Sequence, residues 1–133
     1  MADYYTSFSV LLPVPNIDDA EQKMKDWVVE KNSEEPGEDE GSVQIQWDRF
    51  QHQVWLYEES EGDVERAACL IADYLIHFNI EGGVFMSWAG TCSKPRVNES
   101  VGGGVVVTKD RSIWVHSFCA VKEAEEAGIQ VIN

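Results

Sequence analysis

Cys92 stands in the run Thr91-Cys92-Ser93-Lys94-Pro95-Arg96, so an ammonium and a guanidinium follow a thiol within a few residues. Nearby positive charge favours the thiolate, which is the nucleophilic form. His116 would be its base if a later strand lies beside this run. The plainer reading is an inert thiol at a strand end, because cysteine is commonly a small buried hydrophobe and no cysteine-protease signature surrounds this one. Lys94 and Arg96 flank a stiffening proline and precede Gly102-Gly103-Gly104, a combination that suits a phosphate or carboxylate. The spacing is not that of a P-loop, and the glycines lead into a strand rather than a helix N-terminus. Two basic residues pairing with an acidic body account for the same pattern. His116-x-x-Cys119 is a close pair and Cys92 a third donor, whereas structural zinc normally has four ligands in two close pairs. No metal and no cofactor are therefore expected. His52 and His77 have no partners at ligand spacing.

The elements that must position these residues follow from hydropathy. Tyr4 to Leu12 alternates, with Phe8, Val10 and Leu12 on one side and Ser7 and Ser9 on the other, and stops at Pro13 and Pro15. Asn16 is a plausible N-cap for a helix with an acidic first turn, a stripe of Ile17, Ala20, Met24, Trp27 and Val28, and an end near Asn32. Residues 33–41 hold five acids, Pro36 and two glycines, and read as a flexible acidic connector. Val43, Ile45 and Trp47 alternate, then Val54 to Tyr57 forms a second apolar segment. Together these predict a hairpin in which Trp55 and Tyr57 compete with Val54 and Leu56 for the core. Asp63 caps a second helix running to about Asn79.

A strand from Val84 to Ala89 leads to a polar loop at 90–104 and a return strand from Val105 to Thr108. Lys109 to Ser112 is a tight turn, Ile113 to Phe118 a last strand, and Val121 to Ala127 a short acidic helix ended by Gly128. The expected class is α+β: a ferredoxin-like βαββαβ core with an extra C-terminal β-hairpin and a short terminal helix. Both main helices then lie on one face of a largely antiparallel sheet. Residues 1–133 form a single domain in this reading, and the face away from the helices carries aromatics such as Trp55, Tyr57 and Trp114. An exposed aromatic patch there marks a partner or dimer surface, unless further elements cover it.

Charge narrows the function. With 24 acids against 10 Lys and Arg, the chain carries a net charge of −14, which repels phosphate backbones and disfavours direct nucleic-acid binding. An acidic surface steers toward basic partners, and it also serves solubility alone. Three widely separated cysteines suit a reducing compartment, the N-terminus lacks signal-peptide features, and no run approaches a membrane span. A cytoplasmic location is expected, with no membrane association.

Ser87-Trp88-Ala89, Thr91 to Arg96 and Gly102 to Gly104 together resemble a stretch in small uncharacterised proteins of bacteria, phages and plasmids. The resemblance is confined to residues 87–104, implies a bacterial or mobile-element origin and carries no functional residue across. The leading functional reading is a non-enzymatic acidic interaction module that docks a basic protein, and a homodimer is a further possibility. Lys94, Arg96, Trp88 and Trp114 are its candidate contact residues. A small ligand-binding or thiol enzyme centred on the 90–104 loop, with Cys92 and His116 as candidate catalytic groups, is the alternative. An acidic mimic of nucleic acid that blocks a host defence protein is a sharper form of the docking reading, and a metal-binding regulator using Cys92, His116 and Cys119 completes the set.

Overall fold

Alternation of apolar and polar side chains builds one six-stranded antiparallel sheet, with two long helices packed on it. The structure is a computed structural model and describes residues 4–34, 43–59, 62–92, 101–115 and 124–132. In chain order the elements are β1 (Tyr4–Leu11), α1 (Ala20–Ser33), β2 (Gln44–Asp48), β3 (Gln53–Glu58), α2 (Val64–His77), β4 (Val84–Cys92), β5 (Val101–Val107) and β6 (Ser112–Val115). A helical turn at 124–126 follows. The strand order is β2-β3-β1-β4-β5-β6, and every pairing between strands is antiparallel. The chain is thus a mixed α+β protein. The acidic connector falls largely on 35–42, and the first part of the expected terminal helix on 121–123. Both lie outside the described residues.

Register decides which side chains are buried. In β3, Val54 and Leu56 are fully buried, and Trp55 and Tyr57 point the other way and are partly exposed. Antiparallel pairs share a face, so Val10 opposite Leu56 and Ile45 opposite Leu56 fix the buried side of β1 and β2. Phe8, Val10, Val54, Leu56, Val84, Met86, Val105 and Val107 from the sheet join Met24, Trp27 and Val28 of α1 and Ile71, Tyr74 and Leu75 of α2 in one core. No polar or charged residue is buried among the described residues.

The two helices are joined to each other as well as to the sheet. Trp27 and Tyr74 meet edge to face with ring centroids 5.1 Å apart. The Tyr74 hydroxyl donates to the Pro13 carbonyl at 2.7 Å, and burial raises its pKa. Lys31 Nζ lies 2.6 Å from Asp73 Oδ2 across the helix pair. That hydrogen bond holds the Lys31 pKa above its ordinary value, against an opposing contribution from desolvation.

Helix ends separate the well-capped from the poorly capped. Asp63 accepts a hydrogen bond from the Arg66 backbone N–H at 3.0 Å and caps α2, as expected. The start of α1 departs from expectation: it begins at Ala20 after Asp19, which has φ 55° and makes no side-chain cap. Asn16 is not the cap, and Ile17 is exposed rather than part of the buried stripe. The hairpin between β2 and β3 is held by Asp48, whose carboxylate accepts from the N–H groups of Phe50 and Gln51 at 2.9 and 3.1 Å.

The C-terminal segment covers one end of the sheet face opposite the helices. Ala124, Ile129 and Val131 pack on Phe85, Val106 and Ile113. Gly83 donates its N–H to the Gln130 carbonyl at 2.8 Å and accepts from the Ile132 N–H at 2.9 Å. A Cβ at Gly83 would lie 2.5 Å from a Val106 methyl, so only glycine permits this close approach.

Candidate docking groove on the open sheet face

Beyond the C-terminal segment, the face opposite the helices is built from alternate residues of the same strands that form the core. β1 contributes Ser7, Ser9 and Leu11, β3 contributes Gln53, Trp55 and Tyr57, and β4 contributes Phe85, Ser87 and Ala89. Their pairing partners place them together: Ser9 opposite Tyr57, Leu11 opposite Trp55, and Ser7 opposite Ala89. Small side chains on β1 and β4 leave the middle of this face low, and the aromatics of β3 stand above it.

The result is a trough of two adjoining depressions that share Ser9 and Ser87. One has a volume of about 540 Å³ and is lined by Ser7, Ser9, Trp55, Tyr57, Ser87 and Ala89, with Phe8, Glu58, Glu59 and Trp88 also contributing. The other, about 490 Å³, is lined by Ser9, Val10, Leu11, Gln53, Phe85 and Ser87. Its aromatic wall is fixed in place. Trp55 and Tyr57 stack at 3.9 Å between centroids with planes 20° apart, and the Trp55 indole N–H donates to Ser9 Oγ at 2.8 Å. Gln53 donates from its amide to the Leu12 carbonyl at 2.9 Å. Among the described residues, neither depression is lined by a lysine or arginine.

The residues singled out in the sequence fare unequally. Trp88 and Trp114 come together, with ring centroids 5.5 Å apart and planes inclined by 59°. The register explains how: Trp88 is opposite Gly103 and Trp114 opposite Val105, so the rings approach across a position that has no side chain. Gly103 is buried, and Trp114 remains 41% exposed. Because Trp88 pairs with Phe8 and Trp114 with Val105, both belong to the helix-side register rather than the open face. That corrects the placement of Trp114 on the open face.

Cys92 is the last residue of β4, paired with Tyr4, and Gly102 to Gly104 lie inside β5. The expected loop at 90–104 is therefore shorter than the sequence suggests, because both strands extend into it. Lys94, Arg96, His116 and Cys119 lie outside the described residues. Cys69 is an exposed thiol on α2. Among the described residues no three His, Cys, Asp or Glu side chains are close enough to share a metal ion.

The aromatic wall of the trough, Trp55 and Tyr57, lies on the face where the sequence places it, whereas the serine floor has no counterpart among the residues singled out in the sequence. The trough's only sequence signal is the alternation Gln53, Trp55, Tyr57 opposite an apolar set, combined with serines at alternate positions of the first strand. No helix among the described residues is long and apolar enough to cross a membrane. No family model matches the chain, no curated protein matches its sequence, and no solved structure matches it. Among the described residues, the fold is that of an α+β protein with helices on one face of its sheet and, on the other, the C-terminal segment beside an aromatic trough.

Proposed function

We propose that the protein is a non-enzymatic acidic interaction module that docks a basic protein partner on the open sheet face. The observation that carries this reading is the trough along β1. Its aromatic wall is held by stacking and an indole hydrogen bond, carboxylates lie at one end, and no cation lines it among the described residues. Partly exposed aromatics in a shaped depression are the groups that contribute most to protein interfaces. A net charge of −14 adds long-range attraction for a basic surface and opposes pairing with a second copy of the same chain. For the fold, the order β2-β3-β1-β4 with α1 and α2 on one side supports a ferredoxin-like core, which the β5–β6 hairpin extends.

The test is capture of partners from an extract of the source organism at increasing salt, with crosslinked residues mapped by mass spectrometry. A basic partner whose retention falls with salt and whose crosslinks lie around β1 and β3 is the expected result. Retention that is independent of salt, or crosslinks confined to the exposed faces of α1 and α2, would overturn the reading.

A further inference from the structure

The trough is polarised along its length, and this selects the kind of segment that it holds. At one end Glu59 follows Tyr57 by two residues, just past the end of β3, and both Glu58 and Glu59 line the depression there. At the other end Leu11 and Phe85 supply apolar surface. Between them the floor is Ser7, Ser9 and Ser87, whose hydroxyls both donate and accept. Ser7 and Leu11 mark the two ends on β1, and at about 3.3 Å per residue they lie roughly 13 Å apart.

We infer that the trough binds an extended segment of the basic partner, with a lysine or arginine side chain at the Glu59 end and an apolar side chain four residues away at the Phe85 end. This rests on the docking reading above and gives it a sequence preference. A cation at the first position meets a carboxylate and the Tyr57 ring together, and such a ring attracts a guanidinium or ammonium that approaches its face. Trp55 occupies one face of the Tyr57 ring by stacking. The four-residue interval is even, so both anchoring side chains of an extended segment point into the same trough. A peptide of reversed charge at the first position meets Glu59 with repulsion.

The experiment titrates the full chain, labelled with 15N, with acetyl-Arg-Ser-Ala-Ser-Leu-amide and with its counterpart carrying glutamate in place of arginine. Amide and indole N–H shifts are followed by NMR up to about ten millimolar peptide, because a five-residue ligand is expected to bind weakly. The arginine peptide should move the Trp55 indole resonance and the amides of Ser9, Ser87 and Glu59. The glutamate peptide should move them at least five-fold less at equal concentration, and Glu59→Gln should weaken the arginine peptide two-fold or more. Shifts centred on other residues, equal responses to the two peptides, or no response at all would overturn the inference. A chain that still captures a basic partner at its β1–β3 face yet fails these titrations retains the docking function and loses the proposed segment. Failure of the capture alone removes the docking reading.

Discussion

The two faces of β3 differ sharply in how their side chains meet solvent. Val54 and Leu56 point toward α1 and α2 and have no exposed surface, whereas Trp55 and Tyr57, one residue away, stack on each other over a serine-lined floor. The helix-covered face holds the fold together through apolar area removed from water. The open face keeps larger aromatic groups partly in contact with solvent, where stacking and an indole hydrogen bond secure them. Residues on the first face should therefore govern stability, and those on the second should govern recognition.

The largest expected effect is on the covered face. Leu56→Ala removes a fully buried side chain and should cost about 2–5 kcal/mol in urea unfolding. Its neighbour offers the sharpest contrast. Trp55→Ala loses a stacking partner and a hydrogen bond at a partly exposed position and should cost only about 1 kcal/mol, although it removes more atoms. If Trp55→Ala proved as damaging as Leu56→Ala, the open face would be a structural layer, and its assignment to recognition would fail.

A smaller effect concerns the helix pair. Asp73→Asn should cost at most about 1 kcal/mol at neutral pH, because Asp73 is half exposed. The pKa of Lys31 is raised, so its pairing stabilises the fold fully below the ordinary lysine value of about 10.5 and ceases to do so as pH rises through the higher folded value. The stability difference between wild type and Asp73→Asn should accordingly shrink as pH is raised through that range in denaturant titrations. A difference that stays constant would assign the cost to something other than the ion pair.

The smallest effect lies where α1 approaches the β2–β3 hairpin. His52 Nδ1 is 3.1 Å from Glu21 Oε1, and this hydrogen bond, followed by the nearby Lys25 ammonium, holds the Glu21 pKa below its usual value. His52→Ala should raise the Glu21 titration midpoint, read from its side-chain carbonyl by NMR, without a measurable change in melting temperature. An unmoved midpoint would show that the contact is not maintained in solution.

Much of this contrast was legible in the sequence, and its gaps have physical causes. Alternation in β1 identified Phe8, Val10 and Leu12 as a buried set, and Asp63 was recognisable as a cap because its type and position agree with the helix that follows. In β3 all four residues from Val54 to Tyr57 are apolar or aromatic, so alternation by itself left two registers open; packing against Val10 and Ile45 selects one. Asn16 has a side chain suited to a cap, but the chain turns through a left-handed Asp19 before α1 begins. The glycines of β5 suggested a loop, yet they are accommodated in a strand, and Trp88 and Trp114 from its neighbours meet over Gly103. The aromatic patch of Trp55 and Tyr57 on the face away from the helices was legible, but the floor of the trough was not, since it joins Ser7 and Ser9 to Ser87 and Ala89 from a distant part of the chain, and its depth comes from side chains that are small.

The most direct test compares partner retention by wild type, by the double variant Trp55→Ala plus Tyr57→Ala, and by Val29→Ser, whose side chain is exposed on α1. Melting temperatures are recorded alongside retention at one low salt concentration. The account predicts that the double variant stays folded and loses at least nine-tenths of the captured basic partner, while Val29→Ser retains it. Equal retention by a folded double variant and wild type, or selective loss in Val29→Ser, would contradict the assignment of recognition to the open face.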